Sequence, residues 1–212
     1  MNWQPRLPQE IEAESFRRID AQVGAHDFSP EVWPLVRRMI HTSGDLGYLE
    51  TVRLHPQAVA VGVAALRRGA VVSTDTRMLL AGISSGRLKR LGVEPFCILE
   101  APEVGEAAAR QGTTRTAVGL EWALPRLAGG IVAIGNAPTA LLRLLELLDA
   151  GASPPALVVG LPVGFVNAAE SKEALTRQQC PFITSLGPKG GSAVAAAVIN
   201  ALAVMALEEV ES

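Results

Sequence analysis

Short, mainly apolar runs alternate with amphipathic segments from residue 70 onward, and this alternation constrains the fold more than any other feature. Strands without polar alternation are usually covered on both faces, as in parallel sheets. Strands that alternate with helices form right-handed crossovers. The sequence therefore predicts an α/β fold, a three-layer, doubly wound and mainly parallel sheet of about five strands, with strands at residues 70–74, 96–99, 130–134, 156–161 and 182–185.

Helical periodicity and capping signals fill the rest of the chain. Ser29, before Pro30, is predicted to cap a helix that ends at Gly44, and Asn167 with Glu170 matches a capping box. Residues 1–69 are expected to be a helical N-terminal part and residues 70–209 the α/β core of one domain spanning 1–212. Helices are predicted at residues 11–23, 30–40, 55–68, 76–90 with a break at Gly82, 103–127 in two pieces, 140–148, 168–178 and 191–207.

Composition disfavours several partners. The net charge is -2 and aromatic residues make up 4% of the chain, which argues against a nucleic-acid-binding surface. The most apolar stretch, residues 193–207, is shorter than the ~20 residues that span a bilayer, and predicts a buried helix. The first ten residues lack the apolar core of a signal peptide. A cytoplasmic protein with neither membrane nor nucleic-acid partners is expected.

A glycine-rich loop follows the last predicted strand. In residues 187–192 (GPKGGS) the glycines allow close backbone approach, and the N–H groups that open the next helix favour an anion beside Lys189. The spacing matches neither a P-loop nor a dinucleotide fingerprint. The alternative is a tight strand-to-helix turn with a solvated lysine. Because ligands of doubly wound sheets bind at the carboxyl ends of strands, residues 75–77, the turn after Glu100, and residues 135–138 and 160–167 are further candidates.

His41 lies at the end of a predicted helix, in the segment His41-Thr42-Ser43-Gly44-Asp45. Among the three histidines it is the best acid–base candidate near neutral pH. A purely structural role at the helix C-terminus is the alternative. The chain contains no HExxH motif, and no His and carboxylate cluster has metal-ligand spacing. No metal site is therefore predicted.

Six segments together resemble the precorrin-8X (cobalt-precorrin-8) methylmutase family. They occur in the family's order and span about residues 8–207. One departure is Pro188, where the family usually has Arg before Lys-Gly-Gly. The segments are residues 14–19 (ESFRRI), 40–45 (IHTSGD), 75–78 (DTRM), 133–141 (AIGNAPTAL), 160–172 (GLPVGFVNAAESK) and 189–193 (KGGSA).

The resemblance implies an isomerase of cobalamin synthesis. The family moves a methyl group from C-11 to C-12 of a tetrapyrrole, giving hydrogenobyrinic acid or its cobalt form, cobyrinic acid. It needs no redox cofactor, and it works as a homodimer with sites at the interface. His41 would be the acid that protonates a ring nitrogen. The expected substrate-binding residues are Ser15, Arg17, Thr42, Asp75, Thr76, Arg77, Arg115, Asn136, Lys189, Gly190 and Gly191.

Two other functions remain open on the residues alone. A nucleotide-dependent oxidoreductase could use the same sheet, but the glycine fingerprint for it is absent. A non-catalytic corrinoid carrier would keep the anion-binding loops without needing His41. The sequence does not distinguish a cobalt-containing substrate from a cobalt-free one.

Overall fold

The computed structural model describes residues 7–208, and within that range the chain forms helices on both sides of one sheet. The helices are α1 (Pro8–Val23), α2 (Trp33–Ser43), α3 (Tyr48–Thr51), α4 (Ala58–Arg67), α5 (Arg77–Gly82), α6 (Ser85–Arg90), α7 (Val104–Gln111), α8 (Arg115–Leu127), α9 (Pro138–Asp149), α10 (Ala168–Leu175) and α11 (Ser192–Glu208). The strands are β1 (Val52–Leu54), β2 (Val72–Thr74), β3 (Pro95–Cys97), β4 (Ile131–Ile134), β5 (Leu157–Gly160) and β6 (Phe182–Ser185).

The sheet has the order β1-β6-β5-β4-β2-β3. Every neighbouring pair is parallel except β1 with β6. The predicted three-layer, mainly parallel α/β fold is confirmed. The sheet has one strand more than expected, because β1 adds an antiparallel edge strand from a region predicted to be helical.

The strand side chains divide the core into two layers. Ile131 and Ala133 of β4 pack on one side, in a cluster with α2, α4, α5, α6 and α11. Val132 and Ile134 point the other way, towards α8, α9 and α10. Consecutive apolar residues are therefore all buried, as expected for a sheet covered on both faces.

Helix α11 is apolar on nearly all sides and lies in the interior, against α2, α4 and α5. Its Asn200 accepts from the Ser84 N–H and donates to the Gly82 carbonyl, so it satisfies the backbone where α5 gives way to α6. The predicted break at Gly82 is confirmed. Across residues 7–208 the apolar helices are all too short to cross a bilayer.

Two capping predictions are wrong. The Ser29 carbonyl accepts from the N–H groups of Val32 and Trp33, so a turn precedes α2 and the helix begins four residues after Ser29. Asn167 precedes α10 in the left-handed conformation, at φ 62°, and its side chain makes no capping bond. An N-cap side chain reaches the helix N–H groups from extended backbone, so this conformation rules out the capping box.

The strand order reverses between β2 and β4. From β2 the chain moves outward to the edge strand β3, and it then returns to β4 and continues through β5 to β6 on the other side. Loops that leave adjacent strands in opposite directions create a crevice at their carboxyl ends, where doubly wound proteins bind ligands. In this chain the crevice lies after Thr74 and Ile134.

Candidate active site

His41 lies in the last turn of α2, which ends at Gly44 in the left-handed conformation. The edge of its ring meets Phe16 of α1, with ring centroids 5.3 Å apart. The guanidinium groups of Arg37 and Arg38 lie over the Phe16 ring, with their Cζ atoms 4.4 and 4.8 Å from its centroid. The imidazole is partly exposed.

An open cavity of about 490 Å³ lies beside His41, within the range of small-molecule sites, roughly 300–1,000 Å³. Helix α1 forms one wall, and the end of α2 with the segment after it forms the other. The predicted residue Ser15 lies in the first wall. The lining residues are Ser15, Arg18, Ile19, Gln22, Ile40, His41, Gly44, Asp45, Leu46 and Gly47.

Two ion pairs hold α1 against α2. Arg38 Nη1 lies 2.5 Å from Glu12 Oε1, and Arg37 Nη1 lies 2.7 Å from Asp20 Oδ2. The hydrogen bond from Arg38 holds the pKa of Glu12 below its ordinary value, and the neighbouring His41 adds to that effect. Since α1 contributes no fully buried side chain, these pairs and Phe16 fix one wall of the cavity.

The Asp45–Lys189 ion pair joins this cavity to the glycine loop. Lys189 Nζ lies 2.5 Å from Asp45 Oδ2, and Asp45 Oδ1 accepts from the Gly47 N–H at 2.8 Å. The bond from Lys189 holds the pKa of Asp45 below its usual value. Lys189 therefore reaches the segment that lines the His41 cavity, but its charge is already paired with a carboxylate in this conformation.

The glycine loop follows β6 and leads into α11, as predicted. A side chain at Gly190 would place its Cβ 2.2 Å from the Leu161 carbonyl oxygen, so only glycine fits there. Gly191, at φ +124°, donates to the same oxygen at 2.9 Å. Among residues 7–208 the N–H groups of Gly190, Ser192 and Ala193 have no acceptor, so they are available to an anion.

Asp75 lies at the carboxyl end of β2 and is buried. Its carboxylate accepts from the N–H groups of Gly135 at 3.1 Å, Asn136 at 2.7 Å and Ala137 at 2.8 Å. Burial raises the pKa of Asp75, and the three N–H donors oppose that shift. The carboxylate thus holds the loop after β4 in place, while the Asn136 side chain is exposed.

Thr76 connects this loop to the glycine loop. Its hydroxyl caps α5 by accepting from the Leu79 N–H, and it lies 3.2 Å from the hydroxyl of Ser192. A Cβ at Gly135 would come within 2.7 Å of the Ser192 Cα. The loops after β2, β4 and β6 therefore touch at the point where the strand order reverses.

Two exposed arginines lie on the outer side of these loops. Arg77 follows Thr76, and Arg115 opens α8. In the described part of the chain neither has an acidic partner, so both charges are available. The hydroxyl of Thr139, at the start of α9, lies 2.9 Å from that of Thr114, which brings Arg115 close to the Asn136 loop.

Two other predicted site residues, Thr42 and Arg17, lie outside the cavity lining. Thr42 is exposed beside His41 but does not line the cavity. Arg17 is exposed on α1, pairs with Glu14 at 2.6 Å and also lies outside the cavity lining. The structure thus connects His41, Lys189, the glycine loop and the Asp75–Asn136 loops, and leaves Arg17 apart.

Three residues of the site were not predicted: Asp45, Ser192 and Lys172. Asp45 and Ser192 act through partners far away in the sequence. Lys172 had a local signal, because it lies on the buried face of α10 with Ala168, Ser171 and Leu175, at helical spacing. It binds the Lys189 carbonyl from beneath the glycine loop.

Another cavity, of about 580 Å³, lies at the opposite end of the strands. Pro155 and Pro181, which precede β5 and β6, line it. That is the amino end of the strands, where doubly wound sheets do not bind their ligands. Among residues 7–208 there is also no group of three His, Cys, Asp or Glu side chains that could hold a metal ion.

Comparison with known proteins identifies the family. A model of the precorrin-8X methylmutase family matches residues 10–205. The chain belongs to this family of intramolecular methyl-transferring isomerases. It is 44% identical over 199 residues to the cobalt-precorrin-8 methylmutase of Priestia megaterium, covering 94% of this chain and 88% of that protein. It is also 44% identical over 197 residues to the precorrin-8X methylmutase of Pseudomonas aeruginosa, covering 92% and 94%.

The fold agrees with this assignment. The crystal structure of precorrin-8X methylmutase from Thermus thermophilus matches with a TM-score of 0.86 and 43% identity, covering 94% of this chain and 98% of that chain. The family and the fold implied by the six sequence segments are both confirmed.

Proposed function

We propose that this chain catalyses the migration of a methyl group from C-11 to C-12 of precorrin-8X or cobalt-precorrin-8. The observation that carries the proposal is the connected site, in which His41 borders an open cavity that the Asp45–Lys189 pair joins to the anion-binding glycine loop. An acid beside a cradle for carboxylates suits a substrate that is both basic at its ring nitrogens and polyanionic at its rim.

In the proposed mechanism His41 acts as the general acid. The imidazolium lends a proton to a ring nitrogen, while the methyl bond to C-11 breaks and the bond to C-12 forms. Substrate and product have the same composition, so the reaction requires no oxidant, reductant or acceptor. General acid catalysis of this kind contributes typically ~10²–10⁴-fold to the rate.

The surrounding residues would hold the substrate carboxylates. The N–H groups of Gly190 and Ser192, with Arg77 and Arg115, provide donors that the net charge of -2 does not reveal. Asp75 would act indirectly, because its carboxylate is used by three backbone N–H groups. Ser15, Thr42, Thr76 and Asn136 would supply neutral contacts.

We also propose that the enzyme is a cytoplasmic homodimer with its site near the interface. Support comes from the loop after β5, where Phe165 is 95% exposed and Val166 77% exposed. Neighbouring exposed apolar side chains of this size are typical of interaction surfaces. Gly164 in this loop donates to the Pro188 carbonyl, so the apolar loop lies directly beside the glycine loop.

The deciding experiment is a conversion assay with precorrin-8X and cobalt-precorrin-8 offered separately to the purified chain. Because isomerisation leaves the mass unchanged, the product is followed by its visible absorbance and identified by NMR. One of the two substrates is expected to give hydrogenobyrinic or cobyrinic acid. Tight binding of hydrogenobyrinic acid without conversion of either substrate would instead identify a corrinoid carrier.

A further inference from the structure

Lys172 is a fully buried lysine, with none of its surface exposed. Lysine is almost never buried unless it is paired with an acid. Within residues 7–208, however, no carboxylate lies within ion-pair distance of Lys172, and its Nζ donates to the carbonyl oxygen of Lys189. The core therefore holds an ammonium whose acceptor is a backbone carbonyl of the glycine loop.

That hydrogen bond fixes the orientation of one peptide group. The Lys189 carbonyl also accepts from the Ser185 hydroxyl at 3.2 Å, so both donors hold it from the protein side. In a planar trans peptide the N–H points opposite to the carbonyl. The Gly190 N–H, which has no acceptor among the described residues, is consequently directed away from Lys172, and Gly190 is partly exposed.

The loop needs a hydrogen bond that restrains it, because its glycines give the backbone a wide range of conformations. Gly190 and Gly191 tolerate conformations that other residues do not, so the peptide between Lys189 and Gly190 could turn over easily. A side chain at Gly190 could not provide rigidity, since the Leu161 carbonyl occupies the space that a Cβ would need. A donor from beneath the loop is the remaining means of holding this peptide.

We propose that Lys172 is a positioning residue of the active site: its buried ammonium fixes the Lys189–Gly190 peptide so that the Gly190 N–H is presented to a carboxylate of the substrate. The identity of the ligand rests on the proposed function, whereas the orientation of the peptide does not. Burial lowers the pKa of Lys172 to about 8, which means that the charged form is held at the expense of stability. Retaining a destabilising group is expected of a functional residue rather than of a packing residue.

The chain offers a direct probe of this peptide. It has three lysines, and Lys189 is the only one followed by glycine. Protein labelled with ¹³C-carbonyl lysine and ¹⁵N-glycine therefore gives a single carbonyl–amide correlation in NMR, from the Lys189–Gly190 peptide. Titrating the wild-type protein with hydrogenobyrinic acid should move this amide proton downfield as a carboxylate accepts from it. A resonance that is unchanged at saturating ligand would overturn the proposal.

The variant Lys172→Met removes the ammonium and keeps an unbranched apolar chain. It should remain folded, its carbonyl–amide correlation should broaden or split, and it should bind hydrogenobyrinic acid about tenfold or more weakly, the range for a hydrogen bond to a charged group. Ser185→Ala, the matched control, removes a neutral donor to the same carbonyl and should weaken binding less. An affinity of Lys172→Met equal to that of the wild type, or a larger loss in Ser185→Ala, would refute the role of the ammonium.

These outcomes separate this proposal from the proposed function. Binding and NMR are measured with the product alone, so a wild-type chain that shows the expected shift but converts neither substrate keeps the role of Lys172 and loses the enzymatic activity. If the wild-type chain converts its substrate and Lys172→Met binds hydrogenobyrinic acid normally, the enzymatic activity is kept and the role of Lys172 is lost. If Lys172→Met does not fold, the wild-type titration decides alone.

Discussion

At the scale of single residues, His41 combines three favourable features: a helix C-terminus, an aromatic edge and an open cavity. His41→Ala should lower turnover by about 10²–10⁴-fold, because the proposed general acid is lost. Product affinity should change little, since carboxylate contacts lie on the neighbouring loops. Steady-state kinetics and a product titration measure the two effects separately.

His26 provides a matched control for that substitution. It is exposed between α1 and α2, its ring centroid lies 4.0 Å from that of Trp33, and it does not line the His41 cavity. His26→Ala should keep near-normal turnover. If His41→Ala behaved like His26→Ala, His41 would have no part in the chemistry.

Asp75 is expected to matter for stability as well as for activity. Asp75→Asn places an amide group where the carboxylate accepts three N–H bonds, so at least one buried donor loses its partner. We expect the free energy of unfolding to fall by about 2–4 kcal/mol, and turnover to fall with it. Urea denaturation followed by circular dichroism measures the first effect.

Asn136→Ala in the same loop is the control for Asp75→Asn. It keeps the backbone N–H that Asp75 binds and removes only an exposed side chain, so its unfolding free energy should lie within about 0.5 kcal/mol of the wild type. Equal stability losses in the two variants would show that Asp75 does not organise this loop.

The sequence predicts those candidate site residues whose position follows from their own segment of the chain. The glycine loop and the Asp75 and Asn136 loops follow apolar strands, so the strand-end rule located them. Asp45 could not be found in this way, because its partner Lys189 is brought to it only by the folded sheet. For the same reason the pairing of Lys189 was missed although the residue itself was predicted.

At the scale of elements, α10 places a charge in the core and so makes stability depend on pH. The pKa of Lys172 falls to about 8 in the folded protein, so between that pH and the ordinary lysine value the unfolded chain binds more protons than the folded one. Stability contributed by this group must therefore rise with pH across that interval. At pH 7 both states are protonated, and burial of the charge destabilises the fold in full.

Lys172→Met isolates this effect from other titrating groups. The difference in unfolding free energy, wild type minus variant, should increase by about 1–3 kcal/mol between pH 7 and pH 10. Urea denaturation of both proteins at a series of pH values measures it. A difference that stays constant, or that falls as pH rises, would contradict a buried ammonium with a lowered pKa.

The elements that the sequence predicts are those with long or uniform patterns. Among the five strands that pair in parallel, β2, β4, β5 and β6 are buried along their whole length, and the runs that contain them are mainly apolar. Strand β1 was missed because Val52, Arg53 and Leu54 form only three residues with an exposed centre, and their strand conformation depends on pairing with β6. The capping box at Asn167 failed because a local motif was overridden by the backbone of the preceding loop.

At the scale of the whole molecule, the proposed homodimer rests on the exposed apolar loop after β5. Phe165 and Val166 would leave a large apolar surface in water if the chain remained monomeric. We expect light scattering to give a mass close to twice the 22.3 kDa of one chain at micromolar concentration. A stable mass of one chain would contradict the proposed homodimer.

A charge at the centre of this loop tests where the interface lies. Phe165→Glu should shift the protein towards the monomer, because a carboxylate cannot be buried in an apolar interface without a partner. Leu7→Glu is the control, since Leu7 is also apolar and 64% exposed but lies at the start of α1 rather than in the loop. If Phe165→Glu remained dimeric while Leu7→Glu dissociated, the interface would lie on the α1 side. Because the loop after β5 is bonded to the glycine loop, a monomeric Phe165→Glu protein should also lose turnover, which would show that the second subunit supports the site.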